Sequence, residues 1–221
     1  MNKHTLAFSA LWLSIAISTS VHAQQMRGDA VAGEGKISMC IGCHGIKGYQ
    51  ASFPEIHKVP MISGQSAGYI ASALAAYKKG DRRHPTMRGI AETLTDQDIA
   101  DVAAYYQASA KSEASGRVSM PEGATGKVAD LLKKGACVSC HGDNFSKPVD
   151  PSYPKIAGQH ADYLFVALKA YKTEGNPQVG RANAVMGGVA KQFSNAELKE
   201  LATYLSGLPS DLRVVPQSKF R

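Results

Sequence analysis

The feature that most constrains this chain is a five-residue pattern that occurs twice. Residues 40–44 read CIGCH and residues 137–141 read CVSCH, and these two segments contain all four cysteines of the 221-residue sequence. Each copy places two thiols three positions apart and a histidine directly after the second thiol. Whatever this pattern binds must therefore be bound twice, and no cysteine remains for a structural disulfide.

The sequence around the pattern is duplicated as well. SGQSAGYIASALAAYKKG, which begins at Ser63, matches AGQHADYLFVALKAYKTEG, which begins at Ala157, at an offset of 94 residues. The segments 93–106 and 192–205 match at an offset of 99, and the two CxxCH patterns lie 97 residues apart. An offset that drifts while the order is kept indicates two copies of one domain whose loops differ in length.

The duplication predicts the domain boundaries. We expect one domain at residues 24–110 and a second at 127–221, joined by a linker at 111–126 that is rich in serine, glycine and charge. Residues 1–23 contain one lysine, no acidic residue and an apolar run of about a dozen residues, followed by Val-His-Ala. This composition is typical of an export signal that is cleaved near residue 23, and an uncleaved N-terminal anchor is the alternative.

Each copy predicts about three helices and almost no strand, so the expected fold class is all-α. The predicted helices begin at Asp29, Ser66 and Thr95 in the first copy and at Thr125, His160 and Ser194 in the second. The middle helix is expected to end at Gly80 or Gly175, and the third opens with a capping box.

Long stretches without periodicity separate these helices. They run to about 15 to 20 residues each, at 44–60, 81–94, 142–158 and 176–193. A domain of about 90 residues with loops of this length is hard to stabilise through its own apolar side chains. A further component is therefore expected in each core.

The CxxCH pattern identifies that component as haem c. Two thiols at this spacing can add across the two vinyl groups of haem, and the histidine that follows then meets the iron from one face. A redox dithiol, or one zinc site formed by both thiol pairs, is an alternative, but neither requires a histidine after each second cysteine. We therefore predict two covalently bound haem c groups. Their predicted attachment points are Cys40, Cys43, Cys137 and Cys140.

His44 and His141 are the predicted proximal ligands of the two irons. Each should bind through Nε2 while a backbone carbonyl holds its Nδ1–H group. The candidate acceptors are Pro60 and Pro154, which lie 16 and 13 residues downstream. The alternative is that these prolines only shape the loop.

A methionine is the predicted ligand on the opposite face of each iron. Met87 and Met186 coincide at the 99-residue offset, and both are expected in an irregular loop before the third helix. A thioether is a soft ligand that favours ferrous iron and raises the reduction potential. His57 and His84 offer a bis-histidine alternative in the first domain, but neither has a histidine counterpart in the second copy.

With these residues in place, the chain resembles the dihaem cytochrome c4 family, and each half resembles a class I cytochrome c. The resemblance rests on the tandem CxxCH patterns, the Gly-Gln-x-x-x-Tyr segments and the two late methionines, and it covers about residues 28–208. It implies two His/Met-ligated haems that face each other across a pseudo-two-fold interface. It also implies electron transfer in the periplasm, from a quinol-oxidising cytochrome complex to a terminal oxidase or reductase.

Two other functions compete with this one. The first is a dedicated electron-transfer subunit of a periplasmic dehydrogenase, and the second is a dihaem enzyme with a displaceable axial ligand. An enzyme of that kind needs an iron with an open position, whereas a methionine is available here in both domains. We therefore expect an electron-transfer protein that is not an enzyme and has no small-molecule substrate.

The charge distribution bears on the partners. A formal net charge of +7 favours acidic protein surfaces or anionic membranes, so we expect redox proteins with acidic docking surfaces, with peripheral membrane association as a further option. No long basic stripe is interleaved with aromatic residues, so nucleic acid is not expected. The basic run before Met87 distinguishes the two halves. It forms a predicted docking patch of Lys78, Lys79, Arg82, Arg83 and Arg88, with a merely solvated loop as the alternative.

Four tyrosines recur at equivalent positions of the middle helix. They are Tyr69, Tyr77, Tyr163 and Tyr171. Ordinary core packing is the favoured role for them, and contact with the haem or its carboxylates is the alternative.

Overall fold

The computed structural model describes residues 27–110 and 124–216, and helices dominate both segments. In the first half these are α1 (Ala30–Glu34), α2 (Ser38–His44), α3 (Ala67–Lys79), α4 (Pro85–Glu92) and α5 (Asp96–Ser109). In the second half they are α6 (Gly126–Lys134), α7 (Val138–His141), α8 (Ala161–Ala170), α9 (Ala184–Ala190) and α10 (Asn195–Ser206). The predicted all-α class is confirmed. The predicted export signal and most of the predicted linker lie outside the described residues.

The strands are only two residues long. They are β1 (Gln50–Ala51), β2 (His57–Lys58), β3 (Arg82–Arg83) and β4 (Gly180–Arg181). β1 pairs with β2 inside the first domain, whereas β3 pairs with β4 across the two domains, and both pairs are antiparallel.

Most of the predicted helix starts are confirmed by their caps. The side chains of Thr95 and Ser194 each close a capping box at the start of α5 and α10. Ser66 and His160 stand at the N-caps of α3 and α8. Gly80 ends α3 with a φ of 90°, a left-handed conformation that glycine adopts without strain.

The first predicted helix of each copy is in fact two helices. In the second copy the break follows Gly135, where Ala136 adopts a φ of 47° that an α-helix cannot continue through. A second difference lies in α8, which ends at Ala170 and is capped by Tyr171 instead of continuing to Gly175. In each copy, the break within the first predicted helix lets the CxxCH segment take a different direction from the helix before it.

The prediction that Met87 and Met186 lie in an irregular loop is wrong. Met87 is the third residue of α4 and Met186 is the third residue of α9. Pro85 occupies the first position of α4, where its fixed φ and missing N–H group favour helix initiation. Both helices are too short to show the apolar periodicity on which the sequence prediction depended.

Each half has its own hydrophobic core. In the first half, α5 packs against α1 and α3, and the buried cluster includes Ile37, Ile41, Ile99 and Val102. In the second half, α10 packs against α8 and α6 around the buried residues Leu131, Leu164, Leu198 and Leu201. Among the described residues, no helix is long and apolar enough to cross a membrane.

The contact between α1 and α5 is very close. A Cβ atom at Gly33 would overlap the carbonyl oxygen of Asp101 on α5. The Asp101 carboxylate, 2% exposed, accepts hydrogen bonds from Lys36 Nζ at 2.7 Å and from the Asp29 backbone N–H at 2.8 Å. The Lys36 ammonium group lowers the pKa of the Asp101 carboxyl, which therefore stays ionised. Together these contacts hold α1, the helix before the CxxCH helix, against α5, the last helix of the domain.

Two glutamines join the domains by a reciprocal exchange of hydrogen bonds. The Gln159 side chain accepts from the Met61 N–H at 3.0 Å and donates to the Met61 carbonyl at 2.9 Å. The Gln65 side chain makes the equivalent pair of bonds, both 2.9 Å long, with the backbone of Lys155. Both glutamines are buried, and they are the glutamines of the duplicated Gly-Gln segments. The interface is thus pseudo-symmetric, because a glutamine of each domain hydrogen-bonds to the backbone of the other.

The same interface partly encloses two residues of the predicted docking patch. Arg82 and Arg83 lie in β3, and the Nε atoms of both are fully enclosed. Both side chains are only partly exposed, and the docking patch stays a prediction. The patch members that remain outside the interface each have a carboxylate nearby: Lys78 has Asp96, Lys79 has Asp81 and Arg88 has Glu92.

The close contact between α1 and α5 predicts that Gly33→Ala destabilises the protein. The added methyl group cannot be accommodated without moving the helices apart, and overpacking of this kind costs about 1–3 kcal/mol. The matched control is Gly35→Ala, since a Cβ atom there would lie 3.5 Å from its nearest neighbour and the backbone is already right-handed helical. Chemical denaturation followed by circular dichroism should show a lower free energy of unfolding for Gly33→Ala alone. Equal stability of the two variants would contradict this account of the contact.

Candidate functional site

The two CxxCH segments lie on short helices that end at their histidines. α2 ends at His44 and α7 ends at His141. All four cysteines lie in the described segments as free, partly buried thiols. Their thiols are thus available for attachment, and the histidines follow them at a helix end, as the pattern predicts.

Both histidines donate their Nδ1–H group to the predicted carbonyl. The distance from His44 Nδ1 to the Pro60 oxygen is 2.8 Å, and from His141 Nδ1 to the Pro154 oxygen it is 3.0 Å. A carbonyl oxygen only accepts, so the proton must be on Nδ1 and the lone pair on Nε2. Burial lowers the pKa of both histidines, which favours the neutral imidazole. Each ring is therefore in the tautomer that binds a metal through Nε2.

In the second domain, all four predicted site residues line one cavity. It has a volume of about 260 Å³, and Cys137, Cys140, His141 and Met186 contribute to its wall. The rest of the wall is largely apolar, with side chains that include Ile156, Leu168, Val189, Phe193, Leu201 and Leu205. An apolar cleft that brings together two thiols, one imidazole with a free Nε2 and one thioether fits a haem c group.

In the first domain, two of the four predicted site residues pack against the equivalent core. Cys40, Met87 and Tyr77 pack against the same buried cluster, which includes Ile41. The Tyr106 hydroxyl is also buried in this region and has no hydrogen-bond partner among the described residues. Burial raises the pKa of Tyr106, so its hydroxyl stays protonated. This buried hydroxyl lies beside the Cys40 thiol, so the core of the first domain has a polar group next to its predicted attachment point.

Tyr106 also marks a difference between the two sites. At the 99-residue offset its counterpart is Leu205, which lines the cavity of the second domain. Helical periodicity alone gives both residues as ordinary apolar positions of the last helix. The signal was nevertheless present, because the duplicated segments end in Tyr-Tyr in one copy and Tyr-Leu in the other.

The two methionines are positioned by equivalent helix caps. The Met87 N–H donates to His84 Nδ1 at 3.4 Å, and the Met186 N–H donates to Asn183 Oδ1 at 2.9 Å. Both methionines are partly buried. A residue at the third position of a capped helix has a defined orientation. The short helix therefore positions each methionine, a role that the sequence prediction gave to an irregular loop.

The competing histidines are engaged elsewhere. His84 accepts at Nδ1 as the cap of α4, and its Nε2 contacts the Phe53 carbonyl at 3.3 Å. His57 places Nδ1 at 2.8 Å from the Glu55 carbonyl, and its ring packs near Tyr163 of the other domain. These contacts give each of them a structural role.

A shared zinc site is excluded within the described residues. In residues 27–110 and 124–216, no group of three or more His, Cys, Asp or Glu side chains could hold a metal ion. The two thiol pairs belong to separate cores instead of converging on one centre.

The fold and the paired sites together define a c-type cytochrome with two haem-binding domains. The family model for cytochrome c matches twice, at residues 27–109 and 127–209. The chain is 32% identical to cytochrome c4 of Stutzerimonas stutzeri, over 94% of this chain and 100% of that protein. It belongs to the dihaem cytochrome c4 family, and it is an electron-transfer protein with two covalently bound haem c groups and redox proteins as partners.

Two further similarities are informative. The crystal structure of reduced recombinant cytochrome c4 from Pseudomonas stutzeri has a TM-score of 0.56 at 28% identity, covering 82% of this chain and 100% of that chain. The chain is also 30% identical to a thiosulfate dehydrogenase electron acceptor of Stutzerimonas stutzeri strain A1501, over 87% of this chain and 91% of that protein. The first similarity concerns the fold, and the second names a class of donor for that relative.

Proposed function

We propose that this protein is a periplasmic electron shuttle in which each haem has one histidine and one methionine ligand. The thioether attachments are Cys40 and Cys43 in the first domain and Cys137 and Cys140 in the second. The axial pairs are His44 with Met87 and His141 with Met186. The observation that carries the proposal is the apolar cavity on which Cys137, Cys140, His141 and Met186 converge.

The side chains of the chain itself set the redox properties. A bound haem c supplies one-electron exchange between ferric and ferrous iron. The Pro60 and Pro154 carbonyls hold each imidazole in one orientation and increase its basicity. The methionine thioether favours the ferrous state, and the apolar wall keeps water away from the metal. The residues that would hold each iron lie on capped or hydrogen-bonded elements, so little of the chain would have to move when an electron arrives or leaves.

The same arrangement supports a carrier and not an enzyme. Chemistry on a small molecule requires an open or displaceable position at the iron. In both domains a histidine and a methionine are available, and both methionines are fixed on equivalent helices. No bond of a substrate is then made or broken by this protein.

The location and the route of the electrons follow from the sequence. Residues 1–23 have the composition of a cleaved export signal, so we place the mature protein in the periplasm. The family resemblance supports a role in a respiratory chain, between a quinol-oxidising cytochrome complex and a terminal oxidase or reductase. The net charge of +7 favours acidic partner surfaces and is compatible with peripheral membrane association.

A dedicated acceptor for a periplasmic dehydrogenase is the second candidate function. It is favoured by the similarity to a thiosulfate dehydrogenase electron acceptor over nearly the whole chain. The two candidates differ in the donor and share the same redox chemistry. Stopped-flow reduction by a quinol-oxidising complex and by a thiosulfate dehydrogenase, compared at equal concentrations, would distinguish them through the faster donor.

The ligand assignment predicts the effect of removing each methionine. Met87→Ala and Met186→Ala should each abolish the weak far-red thioether-to-iron band of one haem and open that iron to carbon monoxide. Met61→Ala is the matched control, because Met61 contacts the other domain through its backbone. Absorption spectra of the ferric protein measure the band. A Met87→Ala or Met186→Ala protein with both bands intact would overturn the assignment for that domain.

The shuttle proposal also predicts the behaviour of the unmodified protein. Since both irons are capped on both faces, the reduced protein should leave its visible spectrum unchanged on addition of carbon monoxide, and it should show no peroxidase turnover. Ready binding of carbon monoxide at one haem would instead favour the enzyme alternative.

A further inference from the structure

One polar atom in the core of the first domain takes no part in the proposed ligation of the haems. The Tyr106 hydroxyl oxygen is fully enclosed, and it has no hydrogen-bond partner within residues 27–110 and 124–216. A buried tyrosine hydroxyl normally has a partner, because an unpaired donor inside a core is unfavourable. Since protein atoms already enclose this oxygen, its acceptor must be one of the groups packed around it.

The Cys40 sulfur is the candidate acceptor. Tyr106 belongs to the buried cluster of the first domain, and Cys40 packs against that cluster. Burial raises the pKa of the Cys40 thiol, and the neighbouring Tyr106 hydroxyl opposes this shift because it can donate to the sulfur. Burial also raises the pKa of Tyr106, so the donor keeps its proton. The core thus places a protonated hydroxyl next to the sulfur that is predicted to carry the haem.

Attachment of a haem changes what this sulfur can do. A free thiol is a weak donor as well as a weak acceptor, whereas a thioether sulfur has no proton and only accepts. The covalent bond to the haem also fixes the position of the sulfur. A hydrogen bond between the two groups in the loaded protein must therefore run from the Tyr106 hydroxyl to the Cys40 sulfur.

The second domain has no donor at the equivalent position. The Gly64 N–H donates to the Tyr106 carbonyl at 2.8 Å, and the Gly158 N–H donates to the Leu205 carbonyl, also at 2.8 Å. These are the equivalent glycines of the duplicated segments, so the backbones at Tyr106 and Leu205 are held in the same way. Leu205 lines the cavity to which Cys137 contributes. Both side chains therefore lie in the core of a predicted haem site, but only Tyr106 has a hydroxyl group.

We propose that the Tyr106 hydroxyl donates a hydrogen bond to the Cys40 sulfur of the bound haem c and thereby raises the reduction potential of the haem in the first domain alone. This inference rests on the proposed function, because it takes that haem to be attached at Cys40. The bond places the positive end of the hydroxyl dipole beside the haem, which favours the less positive, ferrous state. Hydrogen bonding around the cofactor is one of the means by which a protein sets a haem potential.

The proposal makes one residue responsible for part of the difference between the two haems. Leu205 has no dipole to offer, although the backbone around it is held in the same way. The potentials of the two sites therefore differ in a direction that depends on the side chain at this position of the last helix. Electrons would reside longer on the haem of the first domain than they would without the hydroxyl.

Removal of the hydroxyl in the loaded protein tests this role. Tyr106→Phe keeps the ring and deletes only the donor. The midpoint potential of the haem in the first domain should fall, with its equilibrium constant for reduction lowered by up to about tenfold, which is the most that one hydrogen bond supplies. The haem of the second domain should keep its potential. Spectroelectrochemical titration measures both values, and proton NMR of the two axial methionine methyl groups separates the haems.

Tyr105→Phe is the matched control, because it deletes the same atom from the next residue. The Tyr105 ring contacts the Tyr106 ring edge to face, with centroids 5.2 Å apart. Its Cβ atom lies 2.9 Å from the Cβ position of Gly33, so this residue lies at the contact with α1. Both potentials should stay at their wild-type values in Tyr105→Phe.

The hydrogen bond itself is open to direct detection. Proton NMR of the reduced wild-type protein in water should show a slowly exchanging hydroxyl proton of Tyr106 with a nuclear Overhauser effect to the β-protons of Cys40. This resonance should be absent from Tyr106→Phe and present in Tyr105→Phe.

Three results would overturn the proposal. The first is a potential of the first haem that is unchanged or higher in Tyr106→Phe, and the second is an equal fall in Tyr105→Phe. The third is a change in the far-red thioether-to-iron band of the first haem in Tyr106→Phe, because Met87, which packs against the same cluster, would then be the acceptor. A low-spin visible spectrum with two haems per chain establishes that a variant has folded. If the wild-type protein itself binds carbon monoxide when reduced, the proposed function fails instead.

Discussion

The orientation of each CxxCH histidine depends on a contact made by the other domain. His44 is held by the Pro60 carbonyl, and the next residue, Met61, exchanges two hydrogen bonds with the Gln159 side chain. The same relation in the second domain runs through His141, Pro154, Lys155 and Gln65. A buried amide left without its partners costs about 1–3 kcal/mol, so losing either pair of glutamine hydrogen bonds would destabilise the interface. The interface therefore contributes to both proposed haem sites, since it holds the backbone segment that orients each imidazole.

Much of this arrangement could be predicted from the sequence, because its signals are local. The CxxCH pattern brings its side chains together within about one turn of helix. The capping boxes at Thr95 and Ser194 mark helix starts through a pattern only four residues long. The Nδ1–carbonyl bonds to Pro60 and Pro154 were predictable because the duplication offered one equivalent candidate in each copy. The axial roles of the methionines remain predictions, although the structure brings Met186 to the same cavity wall as His141.

The elements that could not be predicted from the sequence are either very short or formed by contacts between residues far apart in the chain. α4 and α9 have eight and seven residues, and helices of two turns leave little periodicity to recognise. β3 and β4 have two residues each, and they pair although almost a hundred residues separate them in the sequence. No local sequence pattern predicts such a pairing. The partial burial of Arg82 and Arg83 could not be predicted for the same reason: a run of basic residues is normally solvated, and only the tertiary contact between the domains encloses the Nε atoms of these two.

The pseudo-symmetry of the interface has a consequence for how such a chain arises. Gln65 and Gln159 make the same bonds to each other's domain, and Arg82 opposes its own equivalent, Arg181. A surface in which each element meets its own copy is what a two-fold homodimer uses. A one-domain ancestor with these residues could thus have dimerised through them before its gene was duplicated and fused. The tether would then have turned a concentration-dependent association into an intramolecular one, after which the two halves were free to diverge.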